Sequence, residues 1–412
     1  ITTYSRDFSV KELPHVKVMR RFQAWDELPV LPEGRIGIYV GSHTHFSEKQ
    51  NRAIDRFCAT YDAVVICDHT SGYYGKYKLL PTLVQLQSDI TSPFPPLDLM
   101  VHIGEISAAS FNDTIPAKEV WRVSEDGELR DPFKKLTTVF QMSEEMFFLH
   151  YGKDGCNRHV LIDECRELFG EIYEQIPELP FCNIWTAMQL SSRLPKGALF
   201  HMGVSNTRRC WNMFQLPESV ESACNVGCCG IDGCVSTLVG ASLVNPDRLC
   251  YVVVGDLTFF YDLNSLGNHH IGTNLRVMLV NNGRGTEFRL GIHHCNVFGD
   301  DADKYMAAAG HFGNKSPLLV KHYAEDLGFH YLSATTKEEF MTALSNFTNP
   351  QLSDHSMILE VFTDSKDESE ALYLMSHIQS DAKGMVRSKL KDAVRNVAGE
   401  KGINAIKKIL KK

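Results

Sequence analysis

Two short segments carry residue types suited to holding a metal ion against phosphate. One reads Gly255-Asp256-Leu257-Thr258-Phe259-Phe260-Tyr261-Asp262, and the other Asn281-Asn282-Gly283-Arg284-Gly285. An Asp carboxylate, an Asn amide oxygen and a nearby backbone carbonyl are hard oxygen donors. Together they suit Mg²⁺ in octahedral geometry, with phosphate oxygens filling further positions. Exposed N–H groups at the start of a helix after Asp256 would face the same phosphates. For these residues to meet, the chain must bring distant segments together. The apolar run Leu249 to Val254 predicts a strand that delivers Asp256 at its carboxyl end, followed by a single helix. Leu275 to Val280 predicts the next strand, delivering Asn281 and Asn282 at its own carboxyl end. In a parallel strand–helix–strand unit those two ends lie side by side.

Gly-Asp followed by Asn-Asn across one helix and one strand resembles the motif of thiamine-diphosphate-dependent enzymes. The resemblance implies that Asp256, Asn282 and the carbonyl of Arg284 hold Mg²⁺ on the cofactor's diphosphate. Upstream stand Ser205-Asn206-Thr207, then Asn225-Val226-Gly227-Cys228-Cys229-Gly230-Ile231-Asp232-Gly233, then Ser236-Thr237. With Gly-Asp-Leu and Asp-Leu-Asn, these are similar to one branch, the 2-succinyl-5-enolpyruvyl-6-hydroxy-3-cyclohexene-1-carboxylate synthases of the menaquinone pathway. By that resemblance the cofactor-binding set comprises Asn206, Thr207, Gly230, Ile231, Asp232, Gly255, Asp256, Leu257, Thr258, Asn282, Arg284 and Gly285. Ile231 would be the apolar wedge under the thiazolium that bends the cofactor.

The chain departs from the branch in three ways. Val226 and Trp211 stand where the branch carries arginines that recognise carboxylates, and neither side chain can form a bidentate charged pair. Arg208, Arg209 and Arg284 are the candidates to substitute from other positions. Glu287-Phe288 replaces an apolar pair that lines the substrate pocket. The third departure is the glutamate that activates the aminopyrimidine. It belongs to a preceding pyrimidine-binding domain and is expected outside this chain, upstream in the same polypeptide or on a separate subunit. Without it the isolated chain is expected to be inactive. Its start at Ile1-Thr2-Thr3-Tyr4, without Met, reads as a fragment opening in mid-strand.

The rest of the chain predicts α/β architecture. Arg35 to Gly41, Ala63 to Cys67 and Leu97 to Ile103 read as strands. Between the first two, Ser47 and Gln50 form a capping-box signature for a helix whose stripe is Ile54, Phe57 and Cys58. The loop after the first strand, Gly41-Ser42-His43-Thr44-His45, lacks G-x-G-x-x-G spacing, so dinucleotide binding is rejected. His43, His45, Asp68 and His69 lie at strand ends, where ligands bind in open α/β sheets, and read as polar loop residues capping the following helices, with a ligand-facing role as the alternative. Further on, Ile184 to Leu194 reads as a helix and Ala198 to Gly203 as a strand. Leu318 to Leu327 is another helix, and Phe329 to Leu332 and Met357 to Phe362 are the last strands. The expectation is two Rossmann-like, doubly wound domains with parallel central sheets flanked by helices. A central domain spans residues 1–178, a pyrophosphate-binding domain 179–380, and a basic helix or tail 381–412.

Composition sets the broad class. The 412 residues, 43% of them apolar, can bury more than one substantial core. A net charge of −8 argues against nucleic acid as the partner. No apolar run is long enough to cross a bilayer, which predicts a cytoplasmic protein. The twelve cysteines, without a C-x-x-C pair, read as free thiols. From Lys383 to Lys412 ten basic residues face two acidic ones, with Ile403, Ile406, Ile409 and Leu410 on one helical face. That segment reads as an ordinary basic helix, or as one that docks on a membrane surface or partner. The functional expectation is a thiamine-diphosphate- and Mg²⁺-dependent lyase or transferase that decarboxylates a 2-oxo acid or carries out carboligation, working as a homo-oligomer on a small-molecule donor and acceptor. The synthase reaction and a non-catalytic cofactor-binding or scaffolding subunit are its alternatives.

Overall fold

The computed structural model describes residues 18–90, 94–105, 115–290, 293–301 and 316–380. The segment opening at Ile1 and the basic tail 381–412 lie outside them. Among the described residues, thirteen strands build two parallel sheets flanked by helices, and neither sheet closes into a barrel.

The first sheet contains β1 (Arg20–Gln23), β2 (Ile36–Val40), β3 (Val64–Ile66), β4 (Lys78–Leu79), β5 (Leu97–Ile103), β6 (Ala117–Ser124) and β7 (Leu136–Gln141), in the order β1-β7-β6-β5-β2-β3-β4. From β4 to β7 this is the doubly wound Rossmann order, with β1 added at the far edge. Helix α1 (Glu48–Tyr61) joins β2 to β3. Both halves of its capping box form at Ser47 and Gln50, and it buries Ile54, Phe57 and Cys58 as the apolar stripe predicts. After α2 (Thr82–Leu86), helices α3 (Glu144–Tyr151) and α4 (Val160–Glu174) follow the sheet.

The sequence predicts three strands here, and the sheet has seven. Strand β6 mixes Lys118, Glu119 and Arg122 with its apolar residues, so it shows no clean alternation. Arg122 is nevertheless buried, donating to the Gly104 carbonyl and lying 3.4 Å from Glu105. The expected helix caps at the strand ends also differ. His69 is buried, its backbone N–H donating to Asn212 Oδ1 at 2.8 Å while its ring meets the carbonyls of Trp211 and Phe214. Asp68 Oδ1 accepts from Thr70 within a turn, not at a helix start. His45 stacks on Tyr74 and approaches Glu221 at 3.9 Å. His69 and His45 therefore tie the first sheet to the segment carrying the second.

The second sheet contains β8 (Leu199–Met202), β9 (Glu221–Cys224), β10 (Cys250–Gly255), β11 (Leu275–Asn281), β12 (His330–Ala334) and β13 (Met357–Phe362), in the order β9-β8-β10-β11-β13-β12. Its helices are α5 (Asn183–Leu190), α6 (Asn206–Trp211), α7 (Cys234–Val244), α8 (Asp256–Asp262), α9 (Leu319–Asp326), α10 (Lys337–Phe347) and α11 (Ser365–Ser376). Helix α5 stops four residues short of the predicted Leu194 and tightens into a 3-10 turn at Ser191–Arg193. Pro195 follows, and its ring disfavours helical backbone at the preceding residue. Strands β10 and β11 are buried almost throughout, which is why they read as largely apolar runs, with Arg276 buried within β11. Strand β8 connects outward to β9, and the chain then returns to lay β10 on the other side of β8. The carboxyl ends of β8 and β10 thus flank a switch in strand order, where α/β sheets open a crevice. No helix among the described residues is long and apolar enough to cross a membrane.

Candidate metal and diphosphate site

Strands β10 and β11 pair in parallel with Gly255 opposite Val280. Asp256 and the pair Asn281-Asn282 consequently emerge at adjacent carboxyl ends, as the sequence predicts. Asp256 opens α8 and is buried, its Oδ1 accepting from the Leu257 N–H at 2.8 Å. Thr258 is buried one residue further on. The segment predicted as one helix after Asp256 divides in two, α8 ending at Asp262 and a 3-10 turn covering Leu263–Gly267.

The two asparagines divide their work. Asn281 is buried, donating from Nδ2 to Glu360 Oε1 at 2.7 Å and accepting from the Gly283 N–H at 3.2 Å. Burial raises the pKa of Glu360, while hydrogen bonds from Asn281 and Tyr331 work the other way. Asn282 is half-buried, and the Arg284 N–H approaches its Oδ1 at 3.4 Å. The turn between them needs left-handed backbone at Gly283, with φ of 81°. It curls Arg284 and Gly285 back beside Asn282. Asn281 thus anchors the loop, and Asn282 is the asparagine whose amide oxygen can serve a metal.

The upstream motif lies at the neighbouring strand ends. Ser205, at the turn out of β8, has φ of 58° and ψ of −122°, a conformation costing a non-glycine residue about 1–3 kcal/mol. Asn206 and Thr207 follow as the first residues of α6, with Thr207 buried. Gly230, Ile231 and Asp232 occupy the loop between β9 and α7. Asn225 Nδ2 holds that loop, donating to the Gly233 carbonyl and to Thr237 Oγ1, both at 3.1 Å. The Ser236 N–H then donates to Asp262 Oδ2 at 2.7 Å, joining α7 to α8. Ile231 is half-buried on this loop, and Asp232 is exposed.

The two positions where the branch carries arginines face inward. Trp211 is fully buried, its ring 4.9 Å from that of Phe200 and its Nε1 donating to Asn183 Oδ1 at 3.3 Å. Val226 is buried as well. Two residues before Trp211, Arg209 makes a bidentate pair with Glu287, at 2.7 and 3.0 Å, that links α6 to the turn after Gly285. Sequence reasoning singled out both residues without pairing them. It left Glu368 on α11 unread, although that carboxyl is buried beside Asn206.

All twelve cysteines are free thiols, and among the described residues no three His, Cys, Asp or Glu side chains gather into a metal cage. The donor chemistry of Asp256, Asn282 and the Arg284 carbonyl, one carboxylate with neutral oxygens, fits a hard divalent cation that keeps phosphate as a further ligand.

No family model matches the chain. Curated relatives do match it, several of them 2-succinyl-5-enolpyruvyl-6-hydroxy-3-cyclohexene-1-carboxylate synthases. That of Bacteroides fragilis is 33% identical over 263 residues, covering 62% of this chain and 45% of that protein. That of Phocaeicola vulgatus is 32% identical over 265 residues, covering 62% and 44%. That of Bacteroides thetaiotaomicron is 27% identical over 392 residues, covering 89% and 66%. The chain therefore spans between about half and two thirds of the length of these relatives. This is the branch that the motifs resemble, and the chain is a relative of it.

Proposed function

We propose, from this kinship and from the site geometry, that the chain forms the diphosphate- and Mg²⁺-binding part of a thiamine-diphosphate-dependent carboligase, with synthase-type chemistry fitting better than simple decarboxylation. The observation carrying the proposal is the parallel register that brings Asp256 and the pair Asn281-Asn282 out at adjacent strand ends. Asp256, Asn282 and the Arg284 carbonyl would hold the metal. Asn206, Thr207, Gly230, Asp232, Gly255, Leu257, Thr258 and Gly285 would border the cofactor, with Ile231 as the apolar support under its thiazolium. When bound, thiamine diphosphate supplies the carbanion stabilisation that addition of a decarboxylated 2-oxo acid to an acceptor requires. The activating glutamate would come from a pyrimidine-binding domain, in the same polypeptide or on a partner subunit.

The chain's own residues fix, orient and shield. Asn281 and Gly283 set the loop that presents Asn282, and Asn225 holds the Ile231 loop over the crevice. Substrate carboxylate recognition has to differ from that of the branch, because Trp211 and Val226 are core residues. Arg209 has the fork geometry that a carboxylate needs, and Glu287 already occupies it in this structure.

Calorimetric comparison of thiamine diphosphate with thiamine, both in Mg²⁺, tests the reading. Losing the phosphates should weaken binding by at least about 100-fold, the equivalent of about 3 kcal/mol of charge-assisted contacts. Equal affinities would mean that the site does not read the diphosphate.

A further inference from the structure

We propose that Glu368 is a positioning residue of this site, a buried carboxyl whose protonation state sets the orientation of the Asn206 amide and, through it, the placement of Arg209. The inference rests on the reading that α6 borders the cofactor, but its geometry stands apart from that reading. Glu368 is 1% exposed. Its Oε1 accepts from the Asn183 N–H at the start of α5 and from Thr363 Oγ1 at the exit of β13, each at 2.9 Å. Its Oε2 is buried without a well-formed hydrogen bond, and the Asn206 side chain is a hydrogen-bonding neighbour of the carboxyl. Asn206 Oδ1 in turn lies 3.4 Å from Arg209 Nη1, and Arg209 continues to Glu287. A single polar chain therefore runs from Glu368 through Asn206 and Arg209 to Glu287, from α11 to the rim of the site.

The two states of the carboxyl make opposite demands on Asn206. A protonated Glu368 can offer Oε2–H to Asn206 Oδ1. An ionised Glu368 can only accept, so it calls for Asn206 Nδ2 in the same place. Turning the amide exchanges the group that faces Arg209, so proton uptake at Glu368 is transmitted to the guanidinium. Burial pushes the Glu368 carboxyl up to about 7, with the Asn183 N–H, the Thr363 hydroxyl and Asn206 working against it. The groups around it are Cys182 on α5, Cys210 and Arg209 on α6, Glu287 on the turn after β11, and Asp364 and Asp367 at the start of its own helix. Burial raises both thiols, so they stay neutral across this range, and Arg209 is engaged by Glu287. Glu368 is thus the group of this cluster placed to change charge near neutrality.

The test is the side-chain amide signal of Asn206 in ¹⁵N-asparagine-labelled chain, identified by its loss in Asn206→Ala and followed from pH 5.5 to 8.5. In the unmodified chain the signal should titrate with a midpoint near 7. In Glu368→Gln, which mimics the neutral acid, it should be flat and stay at its low-pH position. A flat signal in the unmodified chain, or the same titration in Glu368→Gln, would overturn the proposal. The experiment contains no cofactor, so its failure is distinct from a failure to bind thiamine diphosphate. The unmodified chain alone decides the matter if the variant does not fold.

Discussion

Asp256→Asn should weaken Mg²⁺-dependent binding of thiamine diphosphate by about 100-fold while leaving the thermal midpoint close to its original value. Asparagine keeps the volume of Asp256 and an oxygen to accept from the Leu257 N–H, so the start of α8 retains its local hydrogen bond. What disappears is the one formal negative charge among the three oxygen donors assigned to the metal. A charge-assisted contact at a buried position is worth about 2–3 kcal/mol, and about 2.8 kcal/mol corresponds to a 100-fold change in affinity. Titration calorimetry with Mg²⁺ at fixed concentration reads the change directly. If the variant bound like the parent, Asp256 would be a helix-start residue only, and the metal would lie elsewhere.

Trp211→Arg should destabilise the protein by about 4 kcal/mol or more, even though it restores the residue type that the related synthases carry. Trp211 is fully buried against Phe200, and its indole N–H is spent on Asn183. Removing a buried indole costs about 3–5 kcal/mol in lost packing and cavity. Placing an unpaired guanidinium there adds a desolvation penalty that Asn183 cannot offset. The urea midpoint should fall sharply, or the variant should be recovered unfolded. A stable variant with tighter carboxylate binding would show instead that α6 can turn this position toward the crevice, and Arg209 would lose its special standing.

The sequence carried the site's framework more clearly than its periphery. Strands β10 and β11 are buried on both faces, so their composition alone marks them, and Asp256 and Asn282 follow as the residues just beyond their ends. The same logic found β2, β3, β5, β8, β12 and β13. It missed β1, whose four residues Arg20–Gln23 are largely exposed. It also missed β4, which is two residues long, and β6 and β7, where polar residues interrupt the pattern. Strand β9, at the edge of the second sheet, reads Glu-Ser-Ala-Cys and carries almost no hydrophobic signal.

Long-range polar partners were hidden for a different reason. Arg209 and Glu287 belong to separate elements, and no local spacing announces that they meet. His69 read as a loop residue, whereas tertiary packing made it a buried bridge to Trp211 and Phe214. Burial pushes its imidazole down to about 4, so it remains neutral in this bridge at neutral pH. Glu368 looks like one more acid on a charged helix, and its burial beside Asn206 follows only from how α11 packs against α5 and the end of β13.

The most direct test of the central claim is titration of thiamine diphosphate into the purified chain in Mg²⁺, repeated after EDTA has removed the metal. Asp256, Asn282 and the Arg284 carbonyl as ligands predict a saturable isotherm in Mg²⁺ that EDTA abolishes and added Mg²⁺ restores. An isotherm unchanged by EDTA, or no binding in Mg²⁺, would contradict it.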